Sequence, residues 1–167
     1  VMEHPRYGVI TQIAWVVEDL AATEDLLAQT CGAGSWTRMP DIEFGSACQY
    51  RGQPADFAAN ISLTYLEDLQ LELIQPTRGD SIYTEFLQSQ GPGMHHLCFE
   101  PANYDAVIAT ARGDGIDIPQ SGRIGDSMRF AYLDCLTGRV PFIEIAEIGI
   151  GMRAFYEHIK AQAGARL

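Results

Sequence analysis

The sequence predicts an α+β fold made of two βαβββ modules in one chain. Two observations carry that prediction. The first is an internal echo: Gln12-Ile13-Ala14-Trp15-Val16-Val17 lines up with His96-Leu97-Cys98-Phe99-Glu100-Pro101 as polar, aliphatic, small, aromatic. The second is a shared order of patterns after each copy. A helical pattern comes next, then strands, and then a strand with one Glu among aliphatics, Leu71-Glu72-Leu73-Ile74 and Ile143-Glu144-Ile145-Ala146.

Val9–Val17, the first element, is almost wholly apolar and rich in β-branched residues, as a strand covered on both faces would be. Asp19 is placed to N-cap a helix with Leu20, Leu26, Leu27 and Cys31 at near-helical spacing, and Gly32 ends it. Strands are expected at Ser35–Met39, Ser46–Arg51, Phe57–Tyr65 and Leu69–Gln75. Breaks are expected at Pro40-Asp41, Gly52-Gln53-Pro54 and Glu67-Asp68. Module 1 thus spans about 9–76. The segment 77–92 links the halves and holds a short helix, Ser81–Ser89, stopped by Gly91-Pro92-Gly93. Module 2, about 93–148, has a strand at Met94–Glu100 and a helix capped by Asn103 and stopped by Gly113. Its further strands are Ile116–Pro119, Met128–Asp134 and Val140–Glu147. A helix over 152–163 closes the chain, with Phe155, Ile159 and Ala163 as its apolar side.

Composition narrows the function. The 167 residues suit a single domain 1–167, and 47% hydrophobic content is ample for a core. Net charge is −11, and the basic residues, all arginine except Lys160, form no cluster, so no nucleic-acid partner is expected. No apolar run is long enough to span a bilayer, so no membrane partner is expected either. The N-terminus has no signal-peptide core, and the expected location is cytoplasmic. Cys31, Cys48, Cys98 and Cys135 are far apart and read as buried free thiols.

Four polar residues, Gln12, Glu72, His96 and Glu144, each interrupt an apolar strand. A buried carboxylate needs a cation, a hydrogen-bond network or solvent. One amide oxygen, one imidazole and two carboxylates would neutralise a divalent ion and suit Zn, Ni, Co, Mn or Fe. Taken singly, Glu72 could pair with an Arg, Glu144 could be solvated at a sheet edge, and Gln12 could be a satisfied core amide. Their matched positions in the two halves favour a shared site. His95 competes with His96. Register with Gln12 selects His96 and turns His95 to the opposite face, and a one-residue slip would exchange them.

The Gly93–Phe99 segment G-x-H-H-L-x-F, the Leu71–Pro76 segment L-E-L-I-x-P and the I-E-I of Ile143–Ile145 resemble the vicinal oxygen chelate superfamily. That group includes glyoxalase I, methylmalonyl-CoA epimerase, extradiol dioxygenases and bleomycin- and fosfomycin-resistance proteins. The resemblance covers roughly Val9 to Glu147. It implies an incomplete-barrel cavity with a divalent metal held by Gln12, Glu72, His96 and Glu144. Gln12 departs from the usual His of the epimerases and dioxygenases, although some glyoxalase I enzymes carry Gln there. The implied activity is that of a metal-dependent lyase, isomerase or epimerase removing a proton next to a carbonyl. Glu144 is the first base, by likeness to a glyoxalase ligand that doubles as base. Glu43, in the loop-like Pro40–Phe44 stretch, is the second. The alternatives are a metal-free small-molecule binding or resistance protein, and an iron-dependent extradiol-type dioxygenase, which the departure at Gln12 disfavours. The expected partner is a small carbonyl-containing substrate. No glutathione or CoA site is visible, and the aromatic content permits a smaller aromatic or hydrophobic compound. A homodimer is implied by the resemblance alone.

Overall fold

Ten strands form one mixed sheet curled into a half-barrel in the computed structural model, which describes residues 7–134 and 140–165. The first half contributes β1 (Ile10–Val16), α1 (Leu20–Cys31), β2 (Thr37–Glu43), β3 (Gln49–Tyr50), β4 (Gln53–Pro54), β5 (Ala58–Leu66) and β6 (Leu69–Arg78). Then come α2 (Ile82–Gln90), β7 (Gly93–Phe99), α3 (Tyr104–Gly113), β8 (Asp117–Ile124), β9 (Met128–Asp134), β10 (Phe142–Ile148) and α4 (Ile150–Gly164). The strand order is β2-β5-β6-β1-β7-β10-β9-β8-β3-β4.

The two copies of the echoed motif are the central strands. β1 and β7 pair antiparallel, and each pairs on its other side, in parallel, with the glutamate strand of its own half, β6 or β10. That arrangement sets the site, because residues in register on neighbouring strands share a face. One row runs Tyr65, Gln70, Gln12, Cys98, Glu144, Tyr132. The next runs Leu63, Glu72, Ala14, His96, Phe142.

The helix ends follow the cap residues. The Asp19 side chain accepts from the Ala22 amide at 3.0 Å, Ser81 from Thr84 at 3.1 Å and Asn103 from Ala106 at 3.0 Å. Gly32 closes α1 at φ 74°, the left-handed conformation a C-terminal glycine supplies.

Several expectations are corrected. β2 does not stop at Met39. It continues through Pro40 and Asp41 by a bulge, with Asp41 at φ 47° and its amide bonded to Asn60 Oδ1. β2 is an edge strand, where proline costs no ladder hydrogen bond. The expected strand Ser46–Arg51 shrinks to β3, which forms a hairpin with β4 and pairs with β8 of the other half. The Tyr50 hydroxyl and Arg51 hold that hairpin to Glu85 of α2. β8 extends to Ile124, five residues past its expected end, and α4 starts at Ile150. Gly113 falls inside α3, with Asp114 as the cap. Leu26 and Cys31 of α1 are exposed. The helix instead buries Leu20 and Glu24, whose carboxylate takes Arg38 and the Ser62 hydroxyl. Cys48 and Cys98 are buried thiols as expected, and Cys135 lies outside the described residues.

One glycine is structurally demanding. Gly79 sits at φ 81°, and a Cβ there would lie 2.1 Å from the Asp56 carbonyl oxygen. Gly79→Ala is expected to cost about 2–4 kcal/mol, from left-handed strain plus a backbone clash that no rotamer relieves. Urea unfolding at constant m-value measures it.

Candidate functional site

The polar rows meet on the concave face of the sheet. His96 is fully buried. Its Nε2 lies 3.0 Å from Gln12 Oε1, 3.0 Å from Glu144 Oε2 and 3.6 Å from Glu72 Oε2. Four side chains from β1, β6, β7 and β10 thus converge on one point, and they are the four the sequence singled out. Their approach follows from register. His96 stands one row from Glu144 across the parallel β7–β10 pair, and Glu72 and His96 both lie opposite Ala14, whose small side chain leaves room between them.

Around this centre the chain satisfies its buried polar groups. Gln12 Nε2 donates to Gln70 Oε1 at 2.6 Å, and Gln70 Nε2 donates to the Tyr65 hydroxyl at 2.9 Å. These bonds turn the Gln12 oxygen toward His96. Sequence reasoning missed the Gln70–Tyr65 arm. Its signal was the alternation Gln70, Glu72 on one strand, which puts both on the site face.

His95 is not on the opposite face as strand alternation would place it. The β1–β7 register slips between Ala14 and Trp15, and this bulge gives β7 an extra residue there. His95 therefore turns into the core beside His96, Nδ1 to Nδ1 at 2.9 Å. Its ring packs on Phe142, Phe86 and Tyr83, with centroids 4.8, 5.2 and 5.3 Å away. Burial first, and neighbouring His96 second, hold His95 well below the usual histidine range. It is therefore neutral, able to accept from or donate to His96 and so orient that ring.

The electrostatics are those of a carboxylate pair. Burial pushes the Glu72 carboxyl well above its ordinary range, and Glu144 beside it pushes it further. The Cys98 thiol is raised by burial and then by Glu144. Tyr83 and Tyr132 share a 2.6 Å hydroxyl–hydroxyl bond, and both are raised by burial and then by Glu144.

Gln12, Glu72 and Glu144 form the polar end of a cavity of about 150 Å³. Its walls come from β2, β5, β9 and β10, with Tyr83 from α2 and Met152, Phe155 and Tyr156 from α4. Glu43 is set apart from it. That residue ends β2 with its side chain 73% exposed and 3.3 Å from an Arg78 nitrogen, and it does not line the cavity. Among the described residues, no three His, Cys, Asp or Glu side chains stand in metal-ligating geometry; the cluster is closed by its own hydrogen bonds. The donor types, an amide oxygen, an imidazole and two carboxylates, are ones a divalent ion takes, and Gln12, Glu72, His96 and Glu144 are the residues that would hold one. The raised Glu72 carboxyl beside a second carboxylate is the electrostatic need a cation would meet.

Comparison with known proteins agrees with this architecture. The family described as the glyoxalase/bleomycin resistance protein/dioxygenase superfamily matches residues 11–132, and the chain belongs to it. No protein of curated function matches significantly. Among solved structures, the chain is similar to methylmalonyl-CoA epimerase from Mycobacterium tuberculosis, with 17% identity and TM-score 0.65 over 92% of this chain and 97% of that one. It is also similar to a methylmalonyl-CoA epimerase in complex with methylmalonyl-CoA and NH4+, with 22% identity and TM-score 0.58 over 84% and 94%. A Streptomyces coelicolor methylmalonyl-CoA epimerase variant in complex with 2-nitronate-propionyl-CoA gives 22% identity and TM-score 0.59 over 85% and 95%. At these identities the likeness is one of fold. Among the described residues, no helix is long and apolar enough to cross a membrane.

Proposed function

We propose that the chain is a metal-dependent isomerase, epimerase or lyase that removes a proton next to a substrate carbonyl. One observation carries this reading: Gln12, Glu72 and Glu144 line the polar end of a largely apolar cavity and meet at the buried His96. In this reading they hold a divalent ion, Zn, Ni, Co, Mn or Fe. A bound ion would polarise the carbonyl oxygen and stabilise negative charge as the proton leaves. Glu144 is the base. It is nearly fully buried, faces the cavity, and has Cys98 and His96 beside it to hold its orientation. Glu43 is a weaker second candidate, since its carboxylate is solvated and engaged by Arg78. The apolar walls exclude water, which strengthens every charge interaction at the centre. A homodimeric assembly belongs to the same reading by resemblance to the family alone; a single domain and a cytoplasmic location are carried into it from the composition and sequence pattern.

A second reading, a metal-free binding protein of the same fold, draws on the Gln12–Gln70–Tyr65 hydrogen bonds, which satisfy the buried amides without an ion.

Solvent-deuterium exchange separates the two. Metal-loaded protein is incubated in D2O with acetophenone, propanal and methylmalonyl-CoA, and the α-proton signals are followed by NMR. Exchange into at least one compound, faster than buffer by about 10²-fold or more and abolished by chelation, is expected. No enhancement with any of the three, in protein shown to carry its ion, contradicts the enzymatic reading.

A further inference from the structure

The cavity has a size, a lining and a roof that together describe what fits in it. Its volume of about 150 Å³ is that of a benzene-sized guest, below the usual range for a drug-sized ligand. Met39, Ile61, Leu63 and Phe130 form its walls, and Met152 and Phe155 of α4 cover it. Two surface ion pairs link that helix to both halves of the chain. Arg153 binds Glu100 at the end of β7, and Lys160 binds Asp68 in the β5–β6 turn at 2.5 Å. Methionines at the wall and roof give a surface that adjusts to guest shape without offering it charge.

The charges point the same way. The ionisable carboxyls on the lining are Glu72, Glu144 and Glu100, and Glu100 is taken by Arg153. Among the described residues, no lysine or arginine lines the cavity. A divalent ion would bring Glu72 and Glu144 to neutrality and no further. A guest carboxylate would therefore be desolvated against thioether and phenyl groups with no cation left to pair it.

We propose that this cavity selects a small, uncharged, apolar carbonyl compound, an aryl or branched-alkyl ketone or aldehyde. It discriminates against carboxylate-bearing acyl groups, for which the lining offers no lysine or arginine. The reaction attributed to that guest rests on the function proposed above; the binding selectivity does not.

The test is a matched pair, acetophenone and 4-acetylbenzoate, which differ by one carboxylate. Affinities are measured by ligand-observed NMR titration, once in chelator and once with a saturating divalent ion. Acetophenone is expected to bind at least tenfold more tightly in both conditions. Met152→Trp, which places an indole in the roof, is expected to weaken acetophenone binding at least tenfold while the far-ultraviolet circular dichroism is kept. Met39→Trp serves the same purpose from the wall if the first variant does not fold. Equal or tighter binding of 4-acetylbenzoate in either condition overturns the proposal. So does failure of both compounds to bind, or acetophenone binding untouched by the folded Trp variant. Because the chelated arm needs no ion, its failure is distinct from failure of the metal reading, which shows in metal content and deuterium exchange.

Discussion

Glu144→Gln is expected to lower deuterium exchange into a turned-over substrate by about 10²–10⁴-fold, the range a positioned general base contributes. The substitution keeps the shape and one oxygen donor. Metal content is therefore expected to fall much less than rate, and that split separates a base from a mere ligand. Glu43→Gln provides the internal comparison. Its carboxylate is 73% exposed and faces Arg78, so a change within about twofold is expected. Should Glu43→Gln lose the large factor and Glu144→Gln keep its rate, the base assignment reverses. Exchange rates per metal-loaded chain decide between them.

Glu72→Gln is expected to stabilise the metal-free protein while removing its response to metal. The Glu72 side chain is largely buried, 16% exposed, beside Glu144, and both effects raise its pKa above the unfolded value. Between the ordinary carboxylate range and that raised value, the folded state holds the proton that the unfolded state has released. The proton-linked stability is thus fully present at acid pH and is lost as pH rises toward and through the raised value. Near neutral pH the metal-free wild type carries this penalty and the glutamine variant does not. The expected gain is about 1–2 kcal/mol, or a Tm higher by about 2–8 °C. A divalent ion at about 100 times its Kd adds about 2.7 kcal/mol to the wild type by linkage. The variant, with one donor charge gone, gains little of that. Thermal unfolding of both proteins, with and without ion, from pH 5 to 8, measures all of it. A variant less stable than the wild type without ion contradicts the account of Glu72.

The site was legible in the sequence to the extent that strand alternation and the internal repeat carry it. Matching Gln12 with His96 places both on the facing central strands. The lone glutamates of β6 and β10 join them because each pairs in parallel with its own half's central strand. What stayed hidden depends on breaks in that alternation. The bulge at Ala14–Trp15 brings His95 inward, and no residue type there announces it. Pro40-Asp41 reads as a turn, because proline and a left-handed residue mark turns more often than a bulged edge strand; Glu43, loop-like by that pattern, in fact ends a strand. The β3–β4 hairpin crosses to β8 through long-range pairing that local pattern does not encode. α1 shows a further limit. Leu26 and Cys31 sit near helical spacing but are exposed, because the face that packs buries Glu24, and its partners Arg38 and Ser62 lie far along the chain.

The central claim is that four strands present one divalent-metal site. Elemental analysis of protein purified without chelators tests it most directly, set beside a Glu72→Ala/His96→Ala double variant checked for folding by circular dichroism. The account predicts about one ion of Zn, Ni, Co, Mn or Fe per wild-type chain and none in the variant. Wild-type protein that holds no ion after incubation with each of these metals, or a folded variant that retains it, would contradict the account.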